Sequence, residues 1–487
     1  MRMGRIYRTP YPQLAIVFIG VAATIWFFYP GCMSGDVIYS WNEALFEKDR
    51  TYYDIQPTLV AYVWYLLNSL PVHPTPQYAN FFLFSTLLFW TGIVLAAEQW
   101  INDKLAWLIF CLGGGFFPPV FAILSQAPLK DAILCAALIA AYGGLVVAEY
   151  RRSFLSFFFS VACLFLALGF RHNAVFAVAP LALWAGCVLC EHLLLIRGYF
   201  GKIGNQLTSG MLIFAFLALG FHFANKALTK APTFPVQQIF VFDLVGMSVK
   251  AGKIYLPKLF EDYERPPVPF YGVKGADVRE NPLTLANLRK LYSPESVLGI
   301  YWYGEGKGLR FLDNREELGE LESAWLAAIR ENPADYLQVR LDMFLHLFRI
   351  KQAHSWIYYC MLPEHSRIHE GFTSTTLPGY YLRHANSIEY RPVFYFLAAM
   401  IFVFALIIGR RRLPRHIVLL VGRTLLPRQL FFLAASGLLY AAAYAVIAPD
   451  SSFRFLYWLV VVGNLMFLNL ALFALDAIRI WRRLKSP

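Results

Sequence analysis

Apolar residues run through this chain in long blocks, and polar residues collect in the stretches between them. The blocks show neither strand alternation nor a heptad seam. Most approach the roughly 20 residues a helix needs to cross a bilayer, so they predict membrane spans. The spans cover Leu14–Tyr29, Tyr78–Ala97, Leu105–Leu124, a fourth run from the turn Ser125–Asp131 down to Glu149, then Phe154–Phe170, Val175–Leu195, Leu207–Lys226, Val393–Gly409 and Leu430–Ile447. A last run follows Arg454 and ends in a basic tail with Arg479, Arg482, Arg483 and Lys485. Gly113-Gly114-Gly115 and Pro118-Pro119 loosen the second half of the third span. The run Pro57–Leu70 is shorter, opens on a proline and closes at Pro71, Pro74 and Pro76.

The Arg and Lys positions decide orientation. Arg2, Arg5 and Arg8 put the N-terminus in the cytoplasm. If Pro57–Leu70 crossed the bilayer, Arg151-Arg152, Arg197, Lys202 and Arg410-Arg411-Arg412 would all lie outside. The segment is therefore expected to lie in the outer interface. Both termini then fall inside, and the first run, which lacks a small-residue cleavage site, is expected to be an anchor rather than a cleaved signal. The predicted fold class is an all-α polytopic membrane protein with about ten transmembrane helices, juxtamembrane helices on the outer side and a small, mainly helical outer domain. Residues 1–226 form an N-terminal membrane module of spans 1–7, with a first outer loop at 30–77 and an interfacial helix at 57–70. Residues 227–390 form the outer domain, with helical patterns at Val236–Lys250, Arg315–Arg330 and Pro333–Ile350, and residues 391–487 carry spans 8–10.

Composition agrees with a membrane protein. Of 487 residues, 58% are hydrophobic, 17% aromatic and only 15% charged, whereas soluble domains carry about a quarter charged residues. The net charge of +12 predicts no nucleic-acid partner, because the cations sit in short connectors, where they set topology. The Arg410–Arg428 run is expected to mark the inner side and meet anionic headgroups. The seven cysteines show no metal-ligand spacing. Five lie in apolar runs as small hydrophobes, and a Cys32–Cys360 disulfide on the outer side stays open. No internal repeat of the transporter kind is visible.

The candidate chemistry lies at the outer ends of the spans, where Asp36, Asp54, Lys130-Asp131, Arg171-His172 and Asp450 with Arg454 all fall at one level. Ionisable groups at that depth are expensive and need partners. Together they predict a polar cavity at the lipid–water boundary. Carboxylates with several cations suit a lipid-linked sugar phosphate: cations stabilise the departing phosphate, and one carboxylate takes the proton of the incoming hydroxyl. An inverting, single-displacement transfer needs one such base.

Each residue also has a plainer reading. Asp36 is a candidate base or an N-cap of the helix at Val37–Phe46. Asp54 is a turn residue, an acceptor ligand or the base instead. Lys130 and Asp131 act in the site or form an ion pair. Arg171 binds phosphate or snorkels to headgroups, and Arg454 binds phosphate or pairs with Asp450. His172 is a candidate ligand or an ordinary interfacial histidine. Trp41, with Asn42 and Glu43 near it, is a candidate for sugar stacking, and Gln237, Gln238 and Asp243 are candidates to reach the cavity.

The segments Tyr29-Pro30-Gly31…Gly35-Asp36, Asp54-Ile55-Gln56-Pro57, Leu129-Lys130-Asp131, Arg171-His172-Asn173 and Pro449-Asp450…Arg454 resemble the GT-C superfamily. More narrowly, they resemble bacterial multi-span glycosyltransferases allied to the protein O-mannosyltransferases and the lipid A aminoarabinose transferases. The resemblance implies a bacterial inner-membrane enzyme with its site on the periplasmic side. It implies a polyprenyl-phosphate-linked sugar as donor and a glycan, lipid or protein as acceptor. It makes Asp36 the catalytic base, and matches Asp131 to the acidic residue such enzymes often carry in the second outer loop and Arg454 to a basic residue that could hold donor phosphate. Joined with the charge pattern at the span ends, this gives a candidate site with Asp36 and Asp131 as catalytic residues, Lys130, Arg171 and Arg454 as donor phosphate ligands, and Asp54, Gln56, Trp41, His172 and Asp450 as substrate contacts. Gln56 stands where this family often has His. The outer domain is inserted between spans 7 and 8 rather than appended, and the first loop has no Asp-X-Asp motif, so no metal or other cofactor is expected. A transporter or flippase of a lipid-linked saccharide is the alternative, and an assembly protein using the outer domain as an adaptor is a third.

Overall fold

The computed structural model describes residues 11–31, 34–45, 56–69, 79–193, 201–230, 233–261, 283–303, 308–312, 314–351, 384, 387–412 and 426–485. Among them every regular element is a helix. In chain order these are α1 Tyr11–Phe28, α2 Gly35–Leu45, α3 Leu59–Asn68, α4 Ala79–Ala96, α5 Lys104–Phe116, α6 Pro118–Ser125, α7 Lys130–Arg151, α8 Phe154–Phe170, α9 Val175–Val188 and α10 Gly201–Leu228. After them come α11 Gln237–Ala251, α12 Leu285–Leu291, α13 Arg315–Glu331, α14 Pro333–Leu347, α15 Pro392–Arg412, α16 Leu426–Ile447 and α17 Tyr457–Lys485.

Among the described residues, seven helical runs are long and apolar enough to cross a membrane, and the α5–α6 pair, bent by 52°, makes up to eight. The stretches Leu59–Asn68 (α3), Phe154–Phe170 (α8) and Pro392–Ile407 (in α15) are apolar but shorter. The bend has a local cause. Pro118 has no amide hydrogen and forces Phe117 out of the helical region, to φ −56 and ψ 126. The chain turns there, and α6 restarts with prolines in its first turn.

The bundle is built around α7, whose span is buried throughout. Ala132, Ala136, Ala137, Ala140, Ala141, Gly143 and Gly144 give it a narrow surface, so α4 and α8 approach closely on its flanks. A Cβ on Gly92 of α4 would lie 2.6 Å from the Ala140 amide nitrogen, and one on Gly143 would lie 2.5 Å from the Gly92 carbonyl oxygen. Backbone meets backbone there. On the far side α9 packs against α10 and α16, and α17 closes the ring against α5, α15 and α16.

Helices α11 to α14 form a polar-surfaced group after α10. Asp243 of α11 is fully buried, and it accepts from Arg340 Nη2 at 2.7 Å and from the Trp325 indole at 2.9 Å. Arg340 donates its other end to the Ala448 carbonyl at 2.9 Å. The Val297 amide donates to the Pro449 carbonyl at 2.8 Å, and the Ser451 amide to the Glu295 carbonyl at 2.7 Å. These bonds dock the group onto the turn between α16 and α17.

The other end of α7 carries a different cluster. Arg428 pairs with Glu149 and, at 2.7 Å, with Glu191, and Gln429 donates to Glu149 at 2.9 Å. This corrects the reading of Arg428 as part of a lipid-facing basic run. The side chain of Glu149 is fully buried and needs a cation, so Arg428 folds inward as part of α16. The backbone of Arg410–Arg412 continues helix α15.

Candidate functional site

The chain leaves α1 through Tyr29-Pro30-Gly31, and Gly31 has φ +95. That value suits glycine alone, and a Cβ there would strike Pro128 at 2.5 Å. The turn after α1 is thus pressed against the turn that precedes Lys130. It delivers Asp36 to the first turn of α2, one residue inside the helix start.

Arg454 sits in a short 3₁₀ turn ahead of α17, and its Nη1 donates to Asp36 Oδ2 at 2.6 Å. Lys130 Nζ lies 3.5 Å from the same oxygen. Lys130 and Asp131 therefore do not pair with each other, since successive residues on a helix point apart. Asp131 turns inward, 1% exposed, and forms an ion pair with Arg171. Arg454 likewise pairs with Asp36, while Asp450 Oδ1 accepts from the Ser452 amide at 2.9 Å and its hydroxyl at 3.0 Å.

The two guanidinium groups flank one ring. Arg171 stands 4.4 Å and Arg454 5.3 Å from the centroid of Phe455, and Phe455 itself stacks on Tyr444 at 5.1 Å. A cation over an aromatic face is drawn to the ring's quadrupole, which helps hold both guanidinium groups beside Phe455.

These groups line a cavity of about 210 Å³. Asp36, Gln56 and Pro57 form one wall, Lys130 and Arg171-His172-Asn173 a second, and Tyr444, Ile447, Pro449, Asp450, Arg454 and Phe455 a third. Pro235, Gln238, Ile239, Val297 and Leu298 close it from the α11–α14 side. Gln56 is buried. It accepts from Ser40 at 2.8 Å and reaches the Asp36 carbonyl at 3.5 Å, which steadies the first turn of α2. Both the Thr58 amide and its hydroxyl donate to Asn225 Oδ1, at 2.9 and 2.8 Å, anchoring α3 beside the cavity on α10.

Electrostatics follow from this packing. Burial opposes ionisation of Asp36, but Arg454, Lys130 and Arg171 outweigh it and hold the carboxyl well below the usual carboxylate range. Asp450 moves the other way. Burial pushes its carboxyl up, and Arg454 and the Ser452 bonds only partly offset that.

Several sequence-derived candidates lie elsewhere. Asp131 does not line the cavity; it is buried behind Arg171. Trp41 packs against the apolar core and is not on the cavity wall. Gln237 is used inside the α11–α14 group, donating to Thr233 and Leu312 carbonyls at 2.8 and 2.9 Å. Asp243 pairs with Arg340, so of those three only Gln238 lines the cavity. Glu43 is buried. Asp54, Cys32 and Cys360 lie outside the described residues, as does the Asn42 side chain. Phe455, Tyr444, Val297 and Leu298 carried no sequence signal, because an apolar residue beside a site looks like any other. Among the described residues no group of three or more His, Cys, Asp or Glu could hold a metal ion. Compared with known proteins, the chain matches no family model, no curated protein and no solved structure.

Proposed function

We propose that this protein is an inverting glycosyltransferase that moves a sugar from a polyprenyl-phosphate carrier to an acceptor on the outer face of a bacterial inner membrane. In this reading α8 and α15 also cross the bilayer, the α5–α6 pair counts as one span, and α3 lies in the interface, giving about ten spans with both termini inside. The cavity and the α11–α14 group then lie on the periplasmic side. The observation that carries the reading is the gathering of Lys130, Arg171 and Arg454 around Asp36 in one cavity.

Three cations beside an apolar bundle suit a phosphate on a lipid tail. Arg171 and Arg454 offer forked donors and Lys130 a point charge, and all three stabilise charge that grows on the departing phosphate. Asp36 takes the proton of the acceptor hydroxyl as its oxygen bonds to the anomeric carbon. The anomeric carbon–oxygen bond breaks, and its electron pair leaves on the carrier phosphate. Asp131 serves as a positioning residue that holds Arg171, not as a second acid. In this reading Gln238, Val297 and Leu298, which close the cavity from the α11–α14 side, would contact the acceptor.

The test is turnover. Purified protein in vesicles, given a panel of polyprenyl-phosphate sugars and an extract of envelope glycans and lipids, is expected to convert one donor to free polyprenyl phosphate, read by mass spectrometry. Intact donors throughout would sink the enzyme. Carrier movement across the vesicle wall with every donor intact would favour the flippase instead.

A further inference from the structure

The charges around the cavity are already balanced. Lys130, Arg171 and Arg454 face Asp36, Asp131 and Asp450, with exposed His172 at the rim. An anion entering a neutralised, poorly solvated site gains little unless it takes a cation from its present partner. Asp36 and Asp131 pair with those cations while Asp450 stands nearby, and the three carboxylates are not equally free to move. Asp131 is fully buried behind Arg171, and Asp450 is tied down by the Ser452 amide and hydroxyl. Asp36 alone lines the cavity while touching two of the cations, Lys130 at 3.5 Å and Arg454 at 2.6 Å. Its side chain is 19% exposed, so it can move toward the open space without leaving a void in the core.

We propose that the Asp36 carboxylate occupies the phosphate position in the ligand-free protein, and that the phosphate of an incoming lipid-linked donor displaces it from Lys130 and Arg454. This rests on the glycosyltransferase reading and adds to it an order of events. A carboxylate clamped by two cations is a weak base, so the acceptor hydroxyl is not activated while the phosphate position is empty of donor. Once the donor phosphate takes both cations, Asp36 swings free, its basicity rises, and it meets the acceptor. The carrier phosphate therefore binds first and switches on the base.

The inference predicts an unusual variant. Asp36→Asn removes the competitor from the phosphate position, so it is expected to bind a polyprenyl monophosphate about tenfold more tightly than wild type while losing transfer. Binding is measured in detergent by calorimetry, with inorganic phosphate as a second probe. A gain with the lipid phosphate and none with inorganic phosphate assigns the site to the lipid, and a gain with both assigns it to phosphate in general. The control is Asp450→Asn, which removes one negative charge from the same cavity without touching Lys130 or Arg454, and a clearly smaller gain is expected. Equal gains for the two variants, or unchanged affinity in Asp36→Asn, would overturn the displacement. Failure of wild type to bind either probe would instead overturn the glycosyltransferase reading. Should Asp36→Asn not fold, wild-type protein labelled with ¹³C-aspartate carries the test. Adding polyprenyl monophosphate is expected to shift one carboxylate stretching band, and an unshifted spectrum with bound ligand counts against the displacement.

Discussion

Arg454 donates a hydrogen bond to Asp36 across 2.6 Å, although 418 residues separate them in the chain. The bond joins the first turn of α2 to the short 3₁₀ turn before α17. The Lys130 ammonium reaches the same carboxylate oxygen at 3.5 Å. Three distant stretches thus share one charge, and the consequences for mutants and for pH follow from that sharing.

Asp36 should govern acid stability. Its carboxyl is held well below its ordinary range in the folded protein, so the folded state keeps this charge at a pH where the unfolded chain binds a proton. The contribution is complete above the ordinary carboxylate range and is lost as pH falls through that range toward the folded value. Thermal unfolding of wild type is expected to drop steeply below about pH 4, and that of Asp36→Asn less so. Parallel pH profiles for the two proteins would show that the ion pairs carry no linkage. In turnover, Asp36→Asn should lose roughly 100-fold or more.

Asp450 should show the opposite sign. Its carboxyl is pushed up by burial, so its charged form costs stability at neutral pH and protonation on acidification relieves the cost. Asp450→Asn keeps an acceptor for Ser452 and removes the charge. It is expected to melt at or above wild type at pH 7, with the difference shrinking as pH falls through the raised value and gone below the ordinary carboxylate range. A lower melting point at pH 7 would make the Asp450 charge stabilising, against this assignment.

Asp131→Asn separates a positioning residue from a catalytic one. The pair with Arg171 is buried, and breaking it strands a guanidinium at a cost of about 3 kcal/mol or more. A lower unfolding midpoint is expected, with weakened donor binding because Arg171 loses its fixed plane. If stability held and only the maximal rate fell, Asp131 would belong among the reacting groups instead.

Arg340 should matter at a distance. It holds the Ala448 carbonyl and the buried Asp243 together, and so sets the turn that presents Asp450. Arg340→Gln is expected to destabilise the protein by about 3 kcal/mol. Arg340→Gln combined with Asp243→Asn should recover part of that loss, since no unpaired carboxylate is left buried. A double variant as unstable as the sum of the singles would mean the two side chains act independently.

What the sequence determined by itself was whatever depends on composition and neighbours along the chain. Long apolar runs define helices of membrane length, because an isolated backbone in lipid must satisfy its own hydrogen bonds. Pro118 and Pro119 break a helix wherever they stand in one, and the bend between α5 and α6 lies there. The polar group with α11, α13 and α14 was legible from periodicity, with ends within a few residues of the expected ones. The charges at the span ends were visible as well, since ionisable residues in so apolar a chain stand out.

Pairing was not legible, because partners are chosen by three-dimensional direction rather than by spacing. Lys130 and Asp131 look like a pair in sequence, yet one residue of helix turns them about 100° apart, so Lys130 meets Asp36 and Asp131 meets Arg171. Arg428 looks like one more cation in a basic connector, and only a buried Glu149 on another helix draws it inward. Phe455 looks like core, and only the fold sets two guanidinium groups against it. Local sequence fixes where a charge sits on its own helix, whereas burial energy, summed over helices far apart in the chain, decides which opposite charge it must face.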